Sequence, residues 1–340
     1  MRSFGVGITG LGVSFPSQKI SNEFLENKLK VNSGWIQKRT GIKSRFYVSQ
    51  DETAADLSVG SAKSALRQAG VKASDLGLIV CGTTSGNYLF PATACKVQDA
   101  LGAAKALAFD ISASATSFQT GLSIAFDHLK THPPVLHALV IGTAVQSPYI
   151  DFGQPEIAVL LGDASGAAVV SRVKEGSGIL SSKFLCRGNL YEAARLRGGG
   201  SQYPLRTENV RNKFQYIELD GVAMGREFLK TQPELMRTAL REAKLDFKDV
   251  SVFIFHQANL RLIELLMQKL ACPLSSTATT IQKLGNCAEA SVPATLADAS
   301  KRGLIHPGAL IMLSSVGAGC TLAVTLLRGS QLGFPRLTGG

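Results

Sequence analysis

Four short stretches hold the groups that could do chemistry. In Ala108-Phe109-Asp110-Ile111-Ser112-Ala113-Ser114-Ala115-Thr116-Ser117-Phe118 a strand runs through small residues into a helix that continues to Lys130. A nucleophile at that helix start would feel the positive end of the helix dipole, which depresses a thiol's pKa. His256 follows the apolar run Val252-Phe253-Ile254-Phe255, at the C-terminal edge of a predicted strand where open α/β sheets place ligands. The residues after it, Gln257-Ala258-Asn259, read as a polar exit rather than continued core. Asn286 stands in Leu284-Gly285-Asn286-Cys287-Ala288-Glu289-Ala290-Ser291, a Gly-Asn turn followed by small residues and by Val292-Pro293, which opens a helix. Turn asparagines are common, so Asn286 alone says little. Ser314-Ser315-Val316-Gly317-Ala318-Gly319-Cys320 is a glycine-rich loop whose backbone N–H groups could face an oxyanion.

The frame that positions them is a duplication. Ala65-Leu66-Arg67-Gln68-Ala69 matches Ala239-Leu240-Arg241-Glu242-Ala243, and the same separation of 174 residues (65 to 239, 75 to 249) carries Asp75 onto Asp249 and His132-Pro133 onto His306-Pro307. Each copy reads as an amphipathic helix, a polar turn and a buried strand: Leu78 to Cys81, then Val252 to Phe255. Another apolar strand follows each His-Pro pair, Ala138 to Ile141 and Ala309 to Leu313. One matched pentapeptide arises by chance; a match in register with a distant third point favours duplication. Two similar α/β halves are expected, 1–172 and 173–340, meeting near the turn Lys174-Glu175-Gly176-Ser177-Gly178. Between the copies one difference is informative: Cys81-Gly82 ends the first strand, Phe255-His256 the second.

Composition narrows the function classes. The net charge of +11 calls for an acidic partner, but the basic residues are dispersed without interleaved aromatics. Nucleic acid is therefore not the expected partner; an acidic carrier protein or a phosphorylated cofactor fits. Six cysteines without a CxxC pair or a nearby histidine argue against a metal site or a disulfide framework, and reduced, mostly buried thiols are expected. Met1 to Gly12 lacks the features of a signal peptide, and no apolar run approaches about 18 residues, so a soluble cytoplasmic protein without a membrane segment is expected.

Taken in order and spacing, these elements resemble the β-ketoacyl-acyl carrier protein synthase III family of the thiolase superfamily. Trp35-Ile36-Gln37-Lys38-Arg39-Thr40-Gly41-Ile42 is similar to its tryptophan–arginine motif, Phe90-Pro91-Ala92-Thr93-Ala94-Cys95 to its dimer-interface segment, and His256-Gln257-Ala258-Asn259 and Gly285-Asn286 to its histidine and asparagine motifs. The resemblance implies a duplicated thiolase fold of five layers, αβαβα, and a homodimer that catalyses decarboxylative Claisen condensation. In that reaction a cysteine takes an acyl group from acyl-CoA or an acyl-carrier protein, malonyl-acyl carrier protein loses CO2, and the enolate attacks the acyl-enzyme. It implies no resident cofactor, coenzyme A being part of a substrate. It assigns His256 and Asn286 to the enolate and the backbone at Ala115 and Ala318 to the oxyanion hole. Trp35 and Arg39 would hold the adenine, Asn259 would orient the histidine region, Phe90 or Leu89 would cap the partner's acyl pocket, and Arg261 would dock the carrier protein.

Two positions depart from the family pattern. Pro148 stands where many members have an arginine that contacts CoA, and Thr143 to Glu156 holds no Lys or Arg, which weakens the case for a simple acyl-CoA donor and brings acyl transfer to oxygen or nitrogen into view. Ala115 stands where the family keeps its nucleophilic cysteine, five residues after Asp110. Three explanations compete: a cysteine replaced on purpose, a natural decarboxylase or non-catalytic partner subunit that never acylates, or Ser114 or Thr116 as a substitute nucleophile. A one-residue shift turns a helical side chain by about 100°, which disfavours the third. The retained His256, Asn286 and Asn259 favour deliberate replacement over a natural variant.

Overall fold

Fourteen strands in residues 4–330, the part of the chain that the computed structural model describes, fall into two sets of seven with the same connectivity. Residues 1–3 and 331–340 of the two expected halves lie outside the described residues. The first set is β1 (Gly5–Ser14), β2 (Gln18–Ser21), β3 (Ser44–Tyr47), β4 (Leu76–Gly82), β5 (Leu107–Ile111), β6 (His137–Ala144) and β7 (Ala164–Val173). The second is β8 (Gly178–Cys186), β9 (Ala194–Leu196), β10 (Ile217–Leu219), β11 (Val252–Phe255), β12 (Thr277–Ala278), β13 (Leu310–Gly317) and β14 (Thr321–Arg328). The main sheets run β1-β7-β6-β4-β5 and β8-β14-β13-β11-β12, each strand of the second being seven places on from its counterpart in the first. The small pairs β2-β3 and β9-β10 obey the same rule. The duplication read from scattered identities is thus a repeat of topology.

The central strands pair in parallel on one side and antiparallel on the other. Both faces of each sheet are covered, which is why β4 and β11 are near-continuous apolar runs instead of alternating ones. Helix Ala54–Ala69 covers the outer face of the first sheet and helix Gly221–Glu242 that of the second. The former starts in a capping box of Thr53 and Asp56 and ends at Gly70 in the left-handed conformation. Helices Ser117–Thr131 and Ser291–Lys301 lie between the sheets. Phe118, Leu122 and Leu129 of one, with Val292 and Leu296 of the other, join Val80 and Val140 of the first sheet and Ile254 and Leu313 of the second in one core. The order helix, sheet, helix, sheet, helix is the five-layer thiolase architecture.

The stretch 314–320 differs from the expected loop. Ser314 through Gly317 complete strand β13, and Ser314 and Ser315 are fully buried. Their hydroxyls meet side-chain amides of flanking helices: Gln232 donates to Ser314 at 2.8 Å, and Ser315 donates to Gln119. Buried hydroxyls paired this way keep their polarity at little cost, so hydroxyl-rich sequence here marks the seam between layers. Only residues 318–320 leave the strand. The expected thiol burial holds for Cys81, Cys287 and Cys320, whereas Cys95 and Cys186 are exposed and Cys272 lies between. No helix among the described residues is long and apolar enough to cross a membrane.

Candidate active site

The two central helices begin at equivalent places. Each is entered through a short turn, Ser114–Thr116 and Ala288–Ala290, whose first residue has positive φ (+49° at Ser114, +33° at Ala288). Such strain in a non-glycine residue persists only where the surroundings impose it, and it gathers at functional sites. The turns are 174 residues apart (114 to 288) and pack against each other where the halves meet. Ala115 occupies the middle of the first turn and is 2% exposed.

Side chains around Ala115 are committed to building its turn. Ser117 Oγ accepts the Ala113 N–H at 2.9 Å, and Thr116 Oγ1 donates to the Ala113 carbonyl at 2.7 Å while lying 2.9 Å from Thr321 Oγ1. Thr116 therefore serves the backbone, a further reason against its use as a nucleophile. Asp110 is structural as well: its carboxylate accepts the N–H groups of Thr93 and Ala94 at 2.7 and 2.8 Å, fixing the start of helix Thr93–Leu101 against β5.

The last residue of β13 closes over this turn. A Cβ on Gly317 would stand 2.9 Å from the Ala113 carbonyl oxygen and 3.0 Å from the Ala115 nitrogen, a spacing only glycine permits. Ala318, the second expected oxyanion donor, directly follows Gly317 in the chain. Gly317→Ala is expected to force the two segments apart, lowering stability by about 1–3 kcal/mol, which thermal denaturation would register.

His256 extends from the end of β11, its backbone N–H donating to the Ser314 carbonyl at 2.8 Å. The side chain is 9% exposed, and its Nδ1 is buried without a partner among the described residues. Burial lowers its pKa to about 4, so the imidazole is neutral near pH 7. Unfolding releases that constraint, so the unfolded chain binds the proton first. Stability supplied by the neutral ring is full above about pH 6.5 and is lost as pH falls towards 4. Thermal melts of His256→Gln are expected to show a flatter acid limb over that range.

Gln257 overturns the reading of 257–259 as a polar exit. It is 1% exposed and turns inward, donating to the Phe255 carbonyl at 2.7 Å and accepting the N–H groups of Thr280 and Ile281 at 3.0 and 3.1 Å. It thereby anchors the histidine loop to the segment that leads to Asn286. Asn259 caps helix Leu260–Lys269 through its Oδ1, which accepts the Arg261 N–H at 2.8 Å.

Asn286 is held by its backbone on both sides. Its N–H donates to the Leu160 carbonyl at 2.8 Å, and its carbonyl accepts from the Gly162 N–H and the Gln146 side chain at 3.0 and 2.9 Å. Its Oδ1 accepts the Ala288 N–H at 3.0 Å, leaving Nδ2 without a partner among the described residues. Leu160 also lines a cavity of about 170 Å³ with Trp35, Arg39, Glu156 and Asn259. The Arg39 guanidinium lies 5.0 Å from the Trp35 ring centre, a cation–π pair at the mouth. Arg261 is on the same rim, paired with Glu264 at 2.9 Å and 3.5 Å from the Lys38 carbonyl. Ala115, His256, Asn286 and Ala318 thus gather at the strand ends where the halves meet, with Trp35, Arg39, Asn259 and Arg261 outside.

Two further features take shape only in three dimensions. Phe90, expected at a partner's acyl pocket, projects with Tyr88 and Leu89 as an apolar ridge (85%, 71% and 83% exposed). Positive charge does reach the stretch 143–156 despite its composition: Lys213 pairs with Asp151 at 3.3 Å, and Lys28 lies 3.4 Å above the Phe152 ring. Neither lysine was legible as a neighbour from the sequence.

Comparison with known proteins adds a family context to this geometry. The family model described as 3-oxoacyl-[acyl-carrier-protein] synthase III matches residues 109–188, and the model for its C-terminal part matches residues 240–329. A β-ketoacyl-[acyl-carrier-protein] synthase III of Syntrophomonas wolfei is 37% identical over 95% of this chain and 97% of its own. The crystal structure of 3-oxoacyl-[acyl-carrier-protein] synthase III from Aquifex aeolicus superposes with a TM-score of 0.87 at 34% identity, covering 95% of this chain and 100% of that one. The priming β-ketosynthase of the R1128 polyketide pathway gives 0.88 at 28% identity, covering 97% and 99%.

Proposed function

This chain belongs to the 3-oxoacyl-[acyl-carrier-protein] synthase III family, and on that footing we propose that its site is built for decarboxylative carbon–carbon chemistry on a malonyl thioester in fatty acid or polyketide synthesis. The observation that carries this reading is that two neutral side-chain donors are left over, His256 with Nδ1 unpartnered and Asn286 with Nδ2 unpartnered while its Oδ1 holds the turn that packs against the Ala115 turn. Two neutral donors suit an enolate oxygen: they stabilise the negative charge as it develops and leave no net charge in the resting pocket. The backbone N–H groups at Ala115 and Ala318 would receive the thioester oxyanion.

With cysteine at 115, a thiolate at the start of helix Ser117–Thr131 would take the acyl group, and the enolate would attack it. With alanine there, no acyl-enzyme forms, and the surviving pair supports loss of CO2 without condensation. Trp35 and Arg39 would hold the coenzyme A end of a donor, with Lys28 and Lys213 compensating for Pro148. Arg261 would meet the acidic carrier protein. A homodimer would cover the Tyr88–Phe90 ridge and bring Phe90 to the partner's acyl pocket. Incubation with malonyl-acyl carrier protein is expected to release CO2 and leave an acetyl thioester. Absence of CO2 from both this chain and its Ala115→Cys form would defeat the reading in favour of a non-catalytic partner subunit.

A further inference from the structure

The pseudo-repeat that brings the Ala115 turn to the site brings a second turn beside it, and the residue equivalent to Ala115 is Glu289 (115 to 289 is again 174). Glu289 is 1% exposed. Its Oε1 accepts the Thr84 hydroxyl at 2.7 Å, while Oε2 is buried without a partner among the described residues. Thr84 follows the end of β4, and the adjacent Thr83 N–H donates to the Ile111 carbonyl at the end of β5, from which the chain runs on to Ala115. On the other side, a Cβ on Gly142 of β6 would collide with the Glu289 carbonyl oxygen, so the backbones are in contact. The carboxyl therefore lies over the strand ends that carry the emptied nucleophile position. An unpaired carboxyl oxygen in such a place costs stability and calls for a function.

We propose that Glu289 is the proton donor of this pocket, delivering a proton to the α-carbon of the enolate left when a malonyl thioester loses CO2. In this step the bond between the carboxylate carbon and the α-carbon breaks, its electron pair passes into the thioester enolate held by His256 and Asn286, and CO2 leaves. The α-carbon then takes the proton from the Glu289 carboxyl, giving an acetyl thioester, and solvent reprotonates the carboxylate. This deepens, and rests on, the decarboxylating reading of the site. Protonation commits the reaction by removing the enolate before it can recombine with CO2, and a neutral acid does not repel the malonyl carboxylate on binding.

The acid form must be available for this to work. Burial pushes the Glu289 carboxyl up to about 7, with the Thr84 hydrogen bond pulling the other way. Of the groups that face it, Cys81 of β4 and Cys287 have thiols held protonated by burial. Asp110 of β5 is tied to the Thr93 and Ala94 amides, and Asp163 to those of Val48, Gln146 and Ser147. His256 is neutral above about pH 4. The titratable residues of the packed helices, Asp127, His128 and Lys130 in one and Asp298 and Lys301 in the other, stand about two turns or more from their N-terminal ends, while His137 of β6 and Arg172 of β7 are at the opposite end of the sheet.

The test follows CO2 release and acetyl thioester formation from malonyl-CoA and malonyl-acyl carrier protein across pH, using the full chain. The parent is expected to slow as pH rises through about 7, where the acid form is lost. Glu289→Gln is expected to be slower by about 100-fold or more and to lose that limb; Glu289→Asp is expected to restore part of the rate and the limb. Thermal melts serve as a folding control with their own sign: the parent must ionise a buried carboxyl above pH 7, so Glu289→Gln gains Tm relative to it there. If Glu289→Gln keeps both the rate and the pH limb, Glu289 is not the donor, and the decarboxylating reading stands. If the parent releases no CO2 while Ala115→Cys condenses, the proposal fails and the condensing-enzyme reading stands. If neither protein acts, both fail.

Discussion

Ala115→Cys is expected to convert a protein that forms no acyl adduct into one that carries an acyl group after exposure to an acyl-CoA or acyl-carrier protein, visible by intact mass. A methyl group cannot attack a thioester, so adduct formation rises from nothing, the largest effect expected from one substitution here. The scaffold for the thiol is in place: the strained turn 114–116, the close approach of Gly317 to the Ala115 nitrogen, and a 15-residue helix whose N-terminal end favours a thiolate. Condensation with malonyl-acyl carrier protein should appear with the adduct. A protein that acylates readily would mean a cysteine removed from an otherwise complete pocket. One that acylates with no donor would mean a pocket reshaped around Glu289, and would defeat the view of position 115 as a nucleophile seat.

His256→Ala and Asn286→Ala should each reduce CO2 release by about 100- to 1000-fold, the usual cost of removing one preorganised donor from a developing oxyanion. Because both donors serve the same oxygen, the double variant should lose far less than the product of the two effects. The comparison is informative because the two residues have different immediate supports. His256 hangs from β11 with Gln257 as its anchor, whereas Asn286 is clamped by Leu160, Gly162 and Gln146. Equal small losses, or full additivity, would place them in separate roles and remove the argument for a shared enolate site. Substrate binding through Trp35 and Arg39 should be little changed, so the loss belongs in kcat.

The family motifs were legible in the sequence, but their chemistry was only partly so. His256 stood out because it replaces a glycine at matched strand ends, a comparison that needs only the repeat. A glutamine after a buried strand usually marks an exit; only packing shows that Gln257 has the Phe255 carbonyl and the Thr280 and Ile281 amides to satisfy. Ser314 and Ser315 read as loop in the sequence for the same reason, since partners for their buried hydroxyls come from helices more than 80 residues away in the chain. Lys28 and Lys213 reach the 143–156 stretch through folding alone.

By itself the sequence determined the duplicated architecture and the strand cores, and it marked four candidate motifs, because these depend on local periodicity and on identities at a constant separation. Glu289 could have been found the same way: the 174-residue separation that matched the helices also carries position 115 onto it. What it could not disclose is that the two equivalent turns pack against each other, or that one oxygen of the Glu289 carboxyl ends up buried and unpaired. Burial and the supply of hydrogen-bond partners are properties of surfaces brought together from distant parts of the chain. They decide whether a carboxyl is a solvated surface charge or an acid poised over a reaction site.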